Sequence, residues 1–216
     1  AEGRAKACFG VTEPNTGLNT TQLKLRAEKR GDRYVVNGQK VWISTAQVAD
    51  NILLLARTSP RDEGKKPTDG ITMFYTEFDR DYCEARVIEK MGRKAVECNM
   101  LYIDGLEVPK DHLIGEEGEG FKYLLQGLNP ERVLFAVESI GLGFSALERA
   151  ATYAKERVVF GRPIGQNQGI QHPLAKSWAE LSAAELLAYK AAGLYDAGQD
   201  CGAEANSAKY LGTEAG

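Results

Sequence analysis

Hydrophobic and polar residues alternate over short stretches in the first half of the chain. Residues 23–27, Leu-Lys-Leu-Arg-Ala, show the alternation of a half-buried β-strand. Similar or continuous apolar runs predict further strands at residues 34–36, 39–44, 51–58, 71–75, 83–88 and 98–103. Gly31-Asp32 and Asn37-Gly38 are turn signals, and the second predicts a hairpin because both residues tolerate a positive φ. Many strands with no helix between them favour a sandwich or barrel, with a solvated loop at residues 59–70.

Apolar residues recur at helical spacing in the second half of the chain. Phe121, Leu124, Leu125 and Leu128 share one face and predict a helix over residues 118–128. Asn129-Pro130-Glu131 is typical of a fresh helix start, so a second helix is predicted to run on to about residue 159. A Gly- and Pro-containing connection over residues 160–173 precedes predicted helices over 174–195 and from 203 onward. The helical pattern that begins at residue 203 has no stop signal before Gly216, which predicts a truncated helix.

Composition changes near residue 115 in the same direction as the patterns. Residues 1–115 contain nine threonines and nine alanines, whereas residues 116–216 contain two threonines and seventeen alanines. Threonine favours strands and alanine favours helices. The sequence therefore predicts an α+β chain, with an all-β sandwich or barrel domain over residues 1–114. An antiparallel helical-bundle segment is predicted over residues 115–216.

Charge and cysteine content narrow the classes of function. The chain has 27 Lys plus Arg against 30 Asp plus Glu, a net charge of −3, which argues against a nucleic-acid binder. No apolar run approaches the ~20 residues that span a bilayer, and the polar residues at the start of the sequence predict no signal peptide. The spacing of four scattered cysteines and two histidines argues against a metal site and favours reduced thiols.

Four motifs occur in a fixed order along the chain. They are FGVTEPNTG at residues 9–17, KVWIS at 40–44, VP followed by LIGEEGEGF at 108–121, and RVVFGRPI at 157–164 with Gln168 beyond it. In this order and spacing they resemble the flavin-binding and interdomain segments of the acyl-CoA dehydrogenase family. The family has a β-barrel-like middle domain and a helical C-terminal domain. The resemblance thus implies a fragment that comprises the middle domain and part of the C-terminal domain, without the N-terminal helical domain.

The resemblance implies an FAD cofactor and a set of residues that contact it. In one subunit these are Phe9, Val11, Thr12, Gly17, Leu18, Trp42, Ile43 and Ser44. Arg157 and Gln168 correspond to residues that reach the FAD of a neighbouring subunit, and Phe160 to one that packs near its adenine side. A homodimer or homotetramer with a shared FAD site follows from the resemblance. Leu18 departs from the family pattern, which has a serine that contacts flavin phosphate or substrate.

The chemistry of these side chains agrees with a flavin site. Thr12 offers a hydroxyl to the ring edge, Trp42 a flat cover for the ring, and Ser44 a hydroxyl near the redox edge. Gly10 and Gly17 allow a close backbone approach. The alternative is that the hydroxyls bond to local backbone and the tryptophan lies in the core. The ordered motifs favour the flavin.

The reaction that the resemblance implies is α,β-dehydrogenation of an acyl-CoA thioester, with electrons passed to an electron-transfer flavoprotein. Its base is a glutamate, and Glu131 matches one of the two positions used in the family; otherwise the base lies beyond Gly216. The alternative for Glu131 is that it complements the helix dipole. Leu18, Asn129 and Arg132 are the candidate substrate-binding residues.

Other interpretations of the sequence stay open. An acyl-CoA oxidase or flavin-dependent oxygenase of the same fold would use O₂ to reoxidise the flavin. A non-catalytic module of a β domain and helices would bind no flavin at all. Bacterial cytoplasm and the mitochondrial matrix are the compartments that fit the resemblance.

Overall fold

The computed structural model describes residues 2–62 and 64–216. Ala1, in the predicted β domain, and Glu63, in the predicted loop, lie outside the described residues. The chain divides into two compact units, the first ending at Leu124 and the second beginning at Leu125. The domain boundary proposed after residue 114 stays a prediction.

The first unit is a curved mixed sheet. Its strands within the described residues are β1 (Ala7–Gly10), β2 (Arg26–Arg30), β3 (Arg33–Ser44), β4 (Asn51–Arg57), β5 (Ile71–Glu77), β6 (Cys83–Ile88), β7 (Cys98–Pro109) and β8 (Leu113–Ile114). The strand order is β6-β7-β3-β2-β4-β5-β8, and β1 pairs with β4 in parallel. The other long strands pair antiparallel with their neighbours, except that β2 meets β4 in parallel at a single residue.

One hydrophobic core receives side chains from β1 to β7. Fully buried residues of this core include Tyr34, Ile52, Phe74 and Leu101, which come from four different strands. The rings of Tyr34 and Phe74 lie 5.0 Å apart between centroids. A sheet that directs seven strands into one core has to curl around it. The prediction of an all-β sandwich or barrel followed by helices, within an α+β class, is confirmed.

The predicted hairpin at Asn37-Gly38 is wrong. β3 runs without a turn from Arg33 to Ser44, and the hairpin turn lies at Gly31-Asp32, where Arg30 pairs with Arg33. Gly38 does have a positive φ, 142°, but it lies beside a bulge in the β3–β7 pairing. A Cβ at this position would lie 3.1 Å from the Cα of Leu25. The glycine therefore serves a close approach of two segments and not a turn.

The first predicted strand is displaced along the sequence. Residues 23–27 were expected to form it, but β2 begins at Arg26. The backbone N–H groups of Lys24 and Leu25 donate to the carboxylate of Glu13, at 2.6 and 3.0 Å. Leu25 is nevertheless buried, so the alternation of the sequence still describes which side chains enter the core.

The second unit contains most of a long helix and two further helices. The helices are α1 (Gly120–Glu156), α2 (Gln168–Asp196) and α3 (Gly202–Ala215), and a small hairpin of β9 (Val158–Val159) and β10 (Arg162–Pro163) follows α1. Small side chains fill the interior, so the helices pack closely. Buried residues of this packing are Val133, Ala136, Ile140, Leu181, Ala184, Ala188, Ala191, Ala205 and Ala208.

Two proline positions correct the predicted helix boundaries. α1 continues through Pro130, so Asn129 does not begin a new helix. α2 starts at Gln168 and contains Pro173, so residues 168–173 are helical and not a connection. Each proline removes one intrahelical hydrogen bond, but the packed neighbouring turns keep the helix continuous. Gly212, within α3, is a packing site, where a Cβ would lie 3.1 Å from the carbonyl oxygen of Ala136.

Candidate functional site

Two of the four motifs lie side by side in the first unit. The backbone N–H of Val41 donates to the carbonyl of Thr12 at 2.9 Å. Further along the same two segments, the hydroxyl of Thr45 lies 3.4 Å from the carbonyl oxygen of Ala7. The segments 7–12 and 41–45 therefore run beside each other in opposite directions. We call these two segments the strip.

Trp42 has an unusual backbone conformation at the centre of the strip. Lys40 pairs with Leu101 and Ile43 with Asn99, so β3 has one extra residue at this point, a β-bulge. The φ of Trp42 is 61° and its residue is 58% exposed. A left-handed conformation is costly for a bulky residue, and such strain is concentrated at functional sites. In a regular strand, the alternation of side chains would direct Trp42 to the same side as the buried Lys40. The extra residue of the bulge instead directs the large aromatic side chain toward solvent.

The strip presents several of the predicted flavin residues to solvent. Phe9, Trp42 and Ser44 are exposed, and Val11 and Thr12 are half-buried. The Ser44 hydroxyl lies 3.8 Å from the thiol of Cys98 and bonds to no closer group among the described residues. Ile43 is buried in the core, so its backbone alone faces the strip.

The loop that follows the strip has a polar atom without a partner. Within the described part of the chain, the hydroxyl of Thr16 is buried and makes no hydrogen bond. Gly17 and Leu18 are exposed beside it, and Leu18 has no burial at all. Gly10 is packed so closely that a Cβ would lie 2.9 Å from Leu54.

These residues fit a flat, polar-edged ring system such as a flavin. An exposed indole can cover a ring face, and the hydroxyls of Thr12 and Ser44 lie along the same strip to meet ring-edge atoms. The unpartnered hydroxyl of Thr16 is a further group that a bound ligand or water could satisfy.

A buried ion pair lies directly beneath the strip. The ammonium of Lys40, which is fully buried, donates to the carboxylate of Glu13 at 3.0 Å and to the carbonyl of Val11 at 2.9 Å. Burial lowers the pKa of Lys40 to about 8, although the Glu13 carboxylate favours the charged form. Sequence reasoning did not single out either residue. Their positions inside two neighbouring motifs were the available signal.

The second unit carries the remaining flavin candidates on its small hairpin. Arg157 follows the end of α1, and its carbonyl accepts the N–H of Ile164 at 2.9 Å, which closes the hairpin. Phe160 stands at the tip with a φ of 52°, followed by Gly161 at 77°. Its side chain is fully exposed, so it contributes nothing to the core of this unit. Arg157 and Gln168 are also exposed.

The candidate substrate residues lie on α1 within the second unit. The guanidinium of Arg132 donates to the side-chain oxygen of Asn129 at 3.0 Å. Glu131 is exposed, and its carboxylate makes no hydrogen bond or ion pair within the described part of the chain. Arg132 therefore pairs with Asn129 and leaves the neighbouring carboxylate free.

Other polar groups of the first unit form structural contacts. The guanidinium of Arg57 donates to four backbone carbonyls, those of Thr21, Leu23, Pro67 and Asp69. It forms one wall of a cleft of about 380 Å³ that includes none of the predicted flavin residues.

Burial raises the pKa of the Cys8 thiol to about 11 and that of Cys83 to about 12. No cluster of metal-ligating side chains exists in residues 2–62 and 64–216, and no helix there is long and apolar enough to cross a bilayer.

Comparisons with known proteins agree with the order of the motifs. The model of the acyl-CoA dehydrogenase middle domain matches residues 8–106, and that of the acyl-CoA dehydrogenase C-terminal domain matches residues 118–216. An acyl-CoA dehydrogenase of Bacillus subtilis is 37% identical over 216 residues, which is all of this chain and 56% of the relative. The chain thus spans about half the length of the curated relatives it matches.

Solved structures give the same result. Butyryl-CoA dehydrogenase from Megasphaera elsdenii has a TM-score of 0.87 at 32% identity, covering 98% of this chain and 55% of that one. An FAD complex of PigA has a TM-score of 0.89 at 27% identity, covering 98% and 54%. With both domain models matched in order, the chain belongs to the acyl-CoA dehydrogenase family of flavoprotein oxidoreductases.

Proposed function

We propose that the protein containing this chain uses FAD to oxidise an acyl-CoA thioester to the trans-2-enoyl-CoA and passes the electrons to an electron-transfer flavoprotein. The observation that carries the proposal is the exposed Trp42, held in a strained conformation beside Thr12 on the strip. Strained backbone is concentrated at functional sites, and here it accompanies a large indole that faces solvent. Membership of the acyl-CoA dehydrogenase family supports FAD as the ligand and oxidation of an acyl-CoA as the reaction.

The residues of the strip bind and orient the cofactor. Trp42 would cover one face of the ring and exclude water from it, while Thr12 and Ser44 would offer hydroxyls to its edge. A bound FAD would supply the acceptor for the hydride that leaves the β-carbon of the substrate. Leu18 supplies no hydroxyl, so the hydrogen bond that the family serine makes is absent at this position.

The substrate residues of α1 handle the acyl-CoA. The Arg132–Asn129 contact fixes the guanidinium on one side of the helix, where it binds polar groups of the substrate. Glu131 removes the α-proton, and its exposed, unpaired carboxylate is free to accept it.

Arg157, Phe160 and Gln168 complete the proposal. All three are exposed on the second unit, and the guanidinium of Arg157 suits a pyrophosphate. We infer that they bind the FAD of a neighbouring subunit in a homodimer or homotetramer.

The role of Glu131 is tested by anaerobic addition of acyl-CoA to the FAD-loaded protein. The Glu131→Gln variant is expected to keep FAD but to lose the bleaching of the flavin band, because an amide cannot accept the α-proton. Glu148→Gln is the matched control, since Glu148 is another exposed acid of α1. Normal bleaching by Glu131→Gln would place the base elsewhere, including beyond Gly216.

Reaction with oxygen separates the proposal from an oxidase. The reduced protein is mixed rapidly with air-saturated buffer, and reoxidation of the flavin band is followed. Slow reoxidation is expected of a dehydrogenase. Fast reoxidation would favour an oxidase or oxygenase, and failure of the encoded protein to take up FAD would favour a non-catalytic module.

A further inference from the structure

The Lys40–Glu13 pair places two charges where the fold has no evident need of them. Lys40 is fully buried, and the Glu13 side chain is 7% exposed. Taking both charges out of water costs several kcal/mol per ion, and their attraction seldom returns more than this. An apolar pair of the same volume would stabilise the sheet as well, so stability alone does not explain the pair.

The contacts of the pair converge on one short stretch of backbone. Lys40 donates to the Val11 carbonyl at 2.9 Å and to Glu13 at 3.0 Å, while Val41, the next residue of β3, donates to the Thr12 carbonyl at 2.9 Å. Three successive residues of the loop are thus tied to two successive residues of the strand. The backbone carbonyls of Val11 and Thr12 and the side-chain carboxylate of Glu13 are each held by a separate bond.

The opposite side of Glu13 is also held. Its carboxylate accepts the N–H groups of Lys24 at 2.6 Å and Leu25 at 3.0 Å. The loop therefore cannot slide along β3 without breaking bonds to a third segment of the sheet. Hydrogen bonds that involve a charged group are roughly twice as strong as neutral ones, which makes the arrangement stiff.

The fixed segments are the ones that carry the proposed flavin contacts. Thr12 lies between the two loop residues that Lys40 holds, and Trp42 lies two residues after Lys40, at the bulge. Apolar substitutes would fill the space under the strip but would leave the carbonyl of Val11 free to turn.

We propose that Lys40 and Glu13 are positioning residues for the FAD site: they set the Thr12 backbone and the Trp42 bulge at a fixed separation, so that FAD meets a preformed edge and face. The inference rests on the proposed function, since it assigns the strip to FAD. The pair does not touch the cofactor and acts through the residues it holds.

Charge-removing variants separate positioning from stability. Lys40→Met and Glu13→Gln each leave one buried group without its partner, so both are expected to lose stability and FAD affinity. The double variant removes both charges at similar volume and is expected to regain most of the stability. It still lacks the bond to Val11, so its FAD dissociation constant, measured by flavin fluorescence, should stay at least about tenfold above that of the wild type. The double variant Arg33→Gln with Glu107→Gln removes a half-exposed ion pair between β3 and β7 and should leave FAD affinity unchanged.

Amide hydrogen exchange supplies a measurement that does not need FAD. In the Lys40→Met/Glu13→Gln protein, exchange at the Val41 amide should accelerate at least tenfold, while the amides of β5 keep their rates. Recovery of FAD affinity together with stability, or unchanged exchange at Val41, would overturn the positioning role. A different result would separate the two proposals. If the wild type does not bind FAD but amide exchange at Val41 is still faster in the double variant, the proposed function is overturned. The hydrogen bonds that hold residues 11–13 against β3 are then upheld.

Discussion

Gly120, the first residue of α1, provides a sharp test of the packing at the edge of the sheet. An alanine Cβ at this position would lie 2.4 Å from the backbone N of Met73 and 2.6 Å from the carbonyl carbon of Thr72. Both atoms belong to β5, which is paired with β4 along its whole length and cannot move aside alone. Gly120→Ala therefore has to push the start of the helix away from the strand.

The cost of this displacement follows from the neighbouring contacts. A normal separation requires a movement of about 1 Å, since ordinary carbon contacts lie near 3.5 Å. The N–H of Gly118 donates to the Thr72 hydroxyl at 2.8 Å, and such a movement breaks this bond. Overpacking costs about 1–3 kcal/mol and a lost hydrogen bond about 1 kcal/mol. Gly120→Ala should lower the free energy of unfolding by about 2–4 kcal/mol.

The assay is urea unfolding followed by the fluorescence of Trp42, in a Trp178→Phe background so that the first unit alone reports. Gly92→Ala is the matched control, because Gly92 lies in the first unit with no atom within 4 Å of an added Cβ. The control should be neutral or stabilising by up to about 1 kcal/mol, because alanine reduces the conformational entropy of the unfolded chain. A Gly120→Ala protein with the midpoint of the wild type would refute the close approach of α1 and β5.

Three further predictions concern charged and polar groups. Burial lowers the pKa of Lys40 to about 8, against about 10.4 for an exposed lysine, so the unfolded chain binds more protons between these values and stability gains with rising pH. Urea unfolding at about pH 7 and pH 10 should show the advantage of the wild type over Lys40→Met growing with pH, and a pH-independent difference would contradict the burial of the charge. Arg57→Lys should lower the free energy of unfolding by about 1–3 kcal/mol, because an ammonium has three donors for four carbonyls; an unchanged urea midpoint would show that the carbonyls find water. Leu18→Ser should tighten FAD binding about fivefold through one added hydrogen bond, as measured by flavin fluorescence, and an unchanged dissociation constant would mean that backbone groups already make the contact.

The comparison of two turn signals shows what the sequence can and cannot specify. Gly31-Asp32 and Asn37-Gly38 look equivalent locally, but only the first forms the turn between β2 and β3. Gly38 uses its positive φ to let Leu25 approach, and that approach depends on a segment thirteen residues away in sequence. Local propensity cannot detect it, because the competing term is tertiary packing.

The helices show the same division for proline. Helical periodicity predicted the positions of α1 and α2 well, whereas Pro130 and Pro173 were taken as boundaries. A proline weakens a helix by a fixed local amount, but the packing of alanine-rich faces over many turns outweighs it. The sequence of one helix does not show whether packing against its neighbours exceeds the local cost of the proline.

At the candidate site, the sequence predicted the side chains but not their geometry. Thr12, Trp42 and Ser44 followed from the motifs, and the structure gathers them on one strip. The bulge that exposes Trp42 arises from the register between β3 and β7, and the Lys40–Glu13 pair arises from the loop that this register brings alongside. Both depend on pairing between distant segments, which no local pattern encodes.

The most direct test of the proposed function is identification of the product. The encoded protein is loaded with FAD and mixed without oxygen with one equivalent of short, medium, long or branched acyl-CoA, and the CoA ester is then analysed by mass spectrometry. For at least one of these esters, we expect loss of the flavin band together with a product lighter by two hydrogen atoms, in a one-to-one ratio. An intact ester and an unchanged flavin band with every acyl-CoA would contradict the proposed function.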